Sequence, residues 1–290
     1  MGMKTGVIGL GAMGAPMARN LRKAGHLAAV WNRSAEKAQR LAAGHGGLVA
    51  SSPAELARQC ELVILSVSAD ADVLEVIEVL LPGLGPGKIV VDTSTVSRET
   101  ARQAAARLGQ TGAAFLDAPV SGGIEGARKG TLAMMVGGDP DILDRVRPVL
   151  AAIAERVEHM GPVGAGQATK AVNQVILSGV YLGVAEGMVL AMKSGLDAAQ
   201  VAEALAGGAA GSWVLQNRSG RMIEDDYPLG FRIALHLKDL GIALEQAREV
   251  GAALPVAAMA AQIEAGLVAR GHGDDDNSAL ARAIREWSGL

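Results

Sequence analysis

The stretch Thr5-Gly6-Val7-Ile8-Gly9-Leu10-Gly11-Ala12-Met13-Gly14 decides the fold. A short apolar run (4–9) meets a GxGxxG, and a helical pattern follows to about Ala24, stopped by Gly25. A second apolar run occupies 27–31. GxGxxG alone is a weak signal. Set between a strand and a helix it is the fingerprint of a dinucleotide-binding βαβ unit. The first glycine permits the turn, the second lets backbone approach a pyrophosphate, and the third lets helix and strand pack. Gly9, Leu10, Gly11, Ala12, Met13 and Gly14 are therefore expected to line the phosphates, with helix N-terminal amides facing them.

The tip of the second strand reads Asn32-Arg33-Ser34. An acid there would bond ribose hydroxyls and repel a 2′-phosphate. An arginine forks onto such a phosphate and a serine adds a hydroxyl. NADP(H) is the expected cofactor, with NAD(H) possible; an exposed arginine without a ligand also fits these residues.

Alternation continues downstream. Helices are expected at 35–43, 53–59, 72–80 and 98–108, and strands at 48–50, 62–67, 88–92 and 113–120. A strand at 131–136, a helix at 139–154 and a last strand at 156–160 complete a doubly wound α/β half. Ligands of such sheets lie beyond the carboxyl ends of strands. Val67, Ser68 and Thr95 thus read as cofactor contacts or, equally, as parts of helix N-caps; Ser97 reads as an N-cap. The turn Ser121-Gly122-Gly123 has two residues without side chains. It reads either as a backbone nest for a carboxylate or as a plain tight turn.

Past residue 162 strands give way to helices, expected at 168–194, 198–206, about 212–222, 232–251, 254–269 and 278–286. The chain is thus expected to hold a Rossmann-type cofactor domain, 1–162, and an all-helical substrate and oligomerisation domain, 163–290. The long first helix joins them. Near its start stand Lys170, Asn173 and Gln174, which share one helical face. A solvated first turn and a polar reaction site both account for them. Residues 171–192 are long enough to test as a membrane span. They contain Asn173, Gln174 and Glu186 without flanking basic clusters, so a helix buried between domains is expected.

With 27 Lys+Arg against 30 Asp+Glu and no basic block, nucleic acid is not an expected partner. One cysteine, Cys60, excludes an internal disulfide and fits a reducing cytoplasm; it reads as a small core hydrophobe. No signal peptide is expected, since the first apolar run is too short. The histidines at 26, 45, 159, 236 and 272 lack ligand spacing. The acidic run Asp274-Asp275-Asp276 lacks the glycine and distal glutamate of a calcium loop and reads as a cap for the last helix. Trp213, Phe231 and Leu237 could wall a pocket, although core packing is their default.

Four stretches together resemble the β-hydroxyacid dehydrogenase family. They are the glycine loop with Pro16-Met17, Asp117-Ala118-Pro119-Val120-Ser121-Gly122-Gly123, Gly164-Ala165-Gly166 through Lys170 to Asn173-Gln174, and Lys238-Asp239-Leu240. The family includes 3-hydroxyisobutyrate dehydrogenase, tartronate semialdehyde reductase and the glyoxylate/succinic semialdehyde reductases. The resemblance implies that Lys170 is the acid/base and that Asn173 and Gln174 help hold substrate. It implies that Ser121, Gly122 and Gly123 bind the substrate carboxylate and that Thr95 and Lys238 approach the cofactor. No metal is expected, because a charged lysine can itself stabilise an alkoxide, and dimers or tetramers are common in the family. Asn173-Gln174 looks more like the tartronate semialdehyde reductases than the Asn-Asn pair of 3-hydroxyisobutyrate dehydrogenases, and the Asn32-Arg33-Ser34 tip looks more like the NADP-dependent reductases. The implied activity interconverts a short 3-hydroxy acid and its semialdehyde. Two other readings compete: an imine reductase, which typically carries another residue in place of Lys170, and a non-catalytic NADP-binding module.

Overall fold

The computed structural model describes residues 2–43 and 48–290; His45 lies outside the described residues. The chain forms two compact units, Met1–Lys170 and Ala171–Leu290. The division falls inside a helix, later in the chain than the change from strands to helices suggests.

The first unit begins β1 (Thr5–Ile8), α1 (Gly14–Lys23), β2 (Leu27–Trp31), α2 (Ala35–Ala43), β3 (Leu48–Val49), α3 (Pro53–Gln59) and β4 (Leu62–Leu65). It continues α4 (Asp70–Leu80), β5 (Ile89–Asp92), α5 (Arg98–Gly109), β6 (Ala114–Asp117), β7 (Val120–Ser121) and α6 (Gly123–Lys129). It closes with β8 (Leu132–Gly137), α7 (Pro140–Leu150) and β9 (Ala154–Gly161). The sheet order is β3-β2-β1-β4-β5-β6-β8-β7, with β9 on β8. Strands β1 to β6 are parallel, whereas β8 runs antiparallel to β6 and β7.

Side-chain alternation explains why these runs are strands. Val7, Leu62, Ile64, Ile89 and Val91 pack on one face with Leu21 of α1 and Leu143 of α7. Ile8, Val63, Leu65 and Val90 pack on the other with Leu56 of α3, Ile77 of α4 and Leu108 of α5. Both faces are covered, so the strands read as unbroken apolar runs. Cys60 belongs to the second face, and burial pushes its thiol up to about 11.

Three details depart from the sequence expectation. The strand expected at 113–120 is interrupted after Asp117, where Pro119 contributes no backbone N–H; its carbonyl still accepts from Met135. Helix α6 follows the glycine turn directly and stops at Gly130, whose φ is +75°. Its seven residues, with a glycine inside, carry too little periodicity to be noticed beforehand. Finally, α7 ends at Leu150 rather than 154, because Ala154 is already paired beside Leu132 in the sheet.

The second unit is helical among the described residues. Helix α8 (Ala165–Lys193) begins in the first unit and runs on into the second. After it come α9 (Ala198–Leu205), α10 (Trp213–Glu224), α11 (Ile233–Val250), α12 (Pro255–Ala269) and α13 (Leu280–Trp287). Although α8 is long and apolar enough to cross a membrane, it supplies Tyr181, Leu182, Ala185 and Val189 to the helical core. Val214, Ile263, Leu280 and Ile284 meet it there. The acidic run ends as a cap: Asp276 accepts from the Ser278 amide at the 3-10 turn preceding α13, and it is fully buried beside Arg218 and Arg221. No group of acids, histidines or cysteines able to hold a metal occurs among the described residues.

Candidate active site

In the first unit the carboxyl ends of β1, β4, β5 and β6 share one edge of the sheet. The glycine loop sits at the end of β1. Gly9 has φ +90°, and a Cβ there would lie 2.2 Å from the Ser66 carbonyl oxygen. A Cβ on Gly14 would lie 1.9 Å from the Gly9 carbonyl oxygen. Protein packing therefore demands glycine at both positions. At Gly11 it demands nothing, since a Cβ would meet no atom within 4 Å. Packing within the protein therefore gives no reason for glycine at this position. Met13, at the N-cap of α1, makes no side-chain hydrogen bond to the amides of the first turn. Leu10 is buried, Met13 half-buried and Ala12 exposed.

Asn32 braces this loop. Its Oδ1 accepts from the Leu10 amide at 2.8 Å, and its Nδ2 donates to the Ser34 carbonyl at 3.0 Å. Its amide thus has protein partners at both ends, which the sequence could not show. Arg33 is 80% exposed and pairs at 3.3 Å with Asp72 in the first turn of α4. Ser34 is exposed beside it.

At the next strand ends, Val67 is half-buried and its amide donates to the Ser94 hydroxyl at 2.9 Å; Ser68 is exposed and Thr95 half-buried. Ser97 does cap α5, accepting from Thr100. Asp92 lies beneath them, fully buried, with Oδ1 accepting from the Ser94 amide. Burial raises its carboxyl to about 6, against the opposing effect of Ser94.

The turn after β7 is built on left-handed backbone. Gly122 and Gly123 have φ +123° and +63°, and no side chain caps α6 at Gly122. Ser121 is half-buried. The Glu125 carboxylate stands 3.1 Å from where a Gly123 Cβ would project, placing negative charge beside the turn.

Lys170 lies in the second turn of α8 and is 7% exposed. The start of that helix is tied to the end of β6. Asp117 accepts from the Gly164 amide at 2.7 Å through Oδ1 and from the Gln167 amide at 2.9 Å through Oδ2. Thus a carboxylate about fifty residues earlier caps the helix. Burial raises the Asp117 carboxyl, and the amides it accepts from oppose that rise. Glycines make room: a Cβ on Gly166 would stand 2.4 Å from the Met135 carbonyl, and one on Gly137 would stand 2.4 Å from Asp117 Oδ1.

In the second unit, Asn173, Gln174, Asp239 and Lys238 form one chain of contacts. Asn173 Nδ2 donates to Gln174 Oε1 at 2.7 Å, and Gln174 Nε2 donates to Asp239 Oδ2 at 2.7 Å. Lys238 Nζ lies 2.9 Å from Asp239 Oδ1. Gln174 is 1% exposed, so its amide joins α8 to α11. Asp117 and Asp239 stand within the motifs without a local signal for these roles, and nothing in the sequence around Gln167 marks it. Of the proposed wall residues, Trp213 carries the Arg218 guanidinium 4.4 Å from its ring centroid, Phe231 packs edge-on against His236, and Leu237 joins an apolar cluster with Leu240.

Two family models, curated relatives and solved structures match the chain over nearly its whole length. The family model described as the NAD binding domain of 6-phosphogluconate dehydrogenase matches residues 4–161. That described as NAD-binding of NADP-dependent 3-hydroxyisobutyrate dehydrogenase matches residues 164–284. The 2-hydroxy-3-oxopropionate reductase of Escherichia coli K12 is 36% identical over 288 residues, covering 97% of each chain. An NAD-dependent L-serine dehydrogenase of Pseudomonas aeruginosa is 36% identical over 292 residues, covering 97% of this chain and 98% of that one. The structure of Mycobacterium tuberculosis 3-hydroxyisobutyrate dehydrogenase with L-serine superposes with a TM-score of 0.89 at 36% identity, covering 98% of this chain and 100% of that one.

Proposed function

Because this chain belongs to the β-hydroxyacid dehydrogenase family and is an NAD(P)-dependent hydroxy-acid oxidoreductase, we propose that it interconverts a short 3-hydroxy acid, or the 4-hydroxy acid formed from succinic semialdehyde, and the corresponding semialdehyde, using NADP(H) with Lys170 as acid/base. The observation that carries this reading is the setting of Lys170. It is a nearly buried lysine on a helix whose first turn is capped by Asp117 at a strand end, where ligands of such sheets collect.

When bound, the nicotinamide dinucleotide supplies or accepts the hydride. Gly11 and the α1 N-terminus would hold its pyrophosphate, and Arg33 with Ser34 would read a 2′-phosphate. Val67, Ser68 and Thr95 would contact the rest of it, and the family resemblance makes Lys238 a further candidate contact. In reduction, Lys170 Nζ gives a proton to the carbonyl oxygen as the carbonyl carbon gains hydride; in oxidation it removes the hydroxyl proton. A cationic lysine also stabilises the alkoxide as it forms. Ser121, Gly122 and Gly123 orient the substrate through its carboxylate, and Asn173, held by Gln174, supplies an amide near Lys170 on the same helix. The relatives named above act on small hydroxy acids or their oxo forms, which supports a small carboxylated substrate here.

A screen of NADPH oxidation with tartronate semialdehyde, succinic semialdehyde and butanal tests the substrate class. Both acids should be reduced far better than butanal, because carboxylate binding is used to orient the reacting carbon. Equal efficiency on succinic semialdehyde and butanal would reject a carboxylate anchor. Lys170→Ala should bind NADPH normally and lose about 10²–10⁴-fold in turnover; near-normal turnover would remove the lysine from the mechanism.

A further inference from the structure

We propose that Gln167 is a positioning residue, setting Lys170 against the loop 94–96 that the reading above assigns to the cofactor. The proposal rests on that reading. Gln167 stands three residues before Lys170 on α8 and is 2% exposed. Its side chain makes two bonds to one loop: Oε1 accepts from the Val96 amide at 3.1 Å, and Nε2 donates to the Ser94 carbonyl at 2.9 Å. Its own amide donates to Asp117 Oδ2 at 2.9 Å. One residue therefore joins the ends of β5 and β6 to the start of α8. A carboxamide with donor and acceptor at its tip grips a strand-like backbone segment at both a C=O and an N–H.

The network extends from both partners. Ser94 also takes the Val67 amide on its hydroxyl and gives its own amide to Asp92. Loop residues 67 and 94–96 and the lysine-bearing helix are thus held as one hydrogen-bonded assembly, in which the Gln167 side chain reaches from helix to loop. The fold does not need an amide merely to fill this space; an apolar side chain of equal length would fill it. What the amide adds is register, because both bonds form only when the helix sits at one height and rotation relative to Thr95. Lys170 follows by one turn, so any slip at Gln167 moves its Nζ relative to the reacting oxygen. Displacements of about 1 Å can cost about a hundredfold in rate.

The test is a double-mutant cycle. Gln167→Met keeps length and apolar contact while removing both bonds. Gln167→Asn, an amide too short to span both partners, serves if the first variant does not fold. With the semialdehyde acid best reduced in the screen, Gln167→Met should lower kcat by about 10–100-fold, with KM and NADPH affinity changed by only a few fold. Hydrogen exchange at the Val96 amide should quicken. In the Lys170→Ala background the same substitution should change kcat little, since the group it positions is gone. An equal loss in both backgrounds, or full turnover in folded Gln167→Met, would overturn the proposal. If Lys170→Ala alone retained turnover, the assignment of Lys170 would fall, and that single variant reports it separately.

Discussion

Arg33 is engaged before any phosphate arrives, and this makes Asp72 a lever on cofactor choice. The two side chains approach to 3.3 Å and are 80% and 28% exposed. Coulomb attraction across that distance in bulk water is about 1.3 kcal/mol. Side-chain entropy and salt reduce exposed pairs to about 0.2–1 kcal/mol. A 2′-phosphate bonded by the guanidinium is worth about 1.5–3 kcal/mol, so the phosphate wins, but it must give up the Asp72 pair. Asp72→Ala should therefore tighten binding of 2′,5′-ADP by roughly 1.4- to 5-fold at low salt. It should leave 5′-AMP unchanged, and the gain should shrink as salt rises. Arg33→Ala should weaken 2′,5′-ADP by roughly ten- to over a hundredfold, and adding Asp72→Ala to it should do little more. Calorimetric titration of both nucleotides against the four proteins measures all of this. Weaker 2′,5′-ADP binding by Asp72→Ala would mean that Asp72 presents Arg33 rather than competing for it. Equal effects on both nucleotides would mean that Arg33 does not read the phosphate.

Gly11→Ala should leave the melting temperature nearly unchanged, because its Cβ meets nothing, yet weaken NADPH about tenfold or more by blocking the pyrophosphate; Gly14→Ala, by contrast, should destabilise the fold itself, and thermal melts with cofactor titrations separate the two. Gly122→Val meets the Leu132 side chain at 3.3 Å on backbone with φ +123°, and should impair semialdehyde turnover more than NADPH affinity, as steady-state kinetics beside cofactor binding will report. Asp92 is raised by burial from 3.8 to about 6, so the native state holds its proton more tightly than the unfolded chain does. The stability it contributes is full below about pH 4 and is lost as pH rises through about 6, a change of about 3 kcal/mol. Asp92→Asn does not titrate, so urea unfolding from pH 4 to 7 should show the variant gaining on the wild type by about that amount; parallel curves would contradict the burial argument.

The sequence by itself determined the cofactor half of the molecule. Strands buried on both faces must be apolar runs, their ends must be marked by glycine or hydroxyl residues, and a βαβ unit closing on Gly9, Gly11 and Gly14 has few alternatives. These signals are local, spanning ten to thirty residues. The long helix and its Lys170, Asn173 and Gln174 were legible for the same reason, since helical spacing fixes which side chains share a face. Helix α6 was not, because a short glycine-containing segment draws its order from packing against α1 and β8, with Gly126 and Ala127 buried, rather than from its own pattern. Tertiary structure alone decided the buried polar partners. Asp117 serves amides at 164 and 167, Gln167 serves backbone at 94 and 96, Gln174 meets Asp239, and Asn32 turns back to Leu10. No period or motif encodes such pairings. A buried polar side chain must find a partner or cost several kcal/mol, but which partner it finds depends on what the folded chain brings within about 3 Å, across separations of twenty to seventy residues.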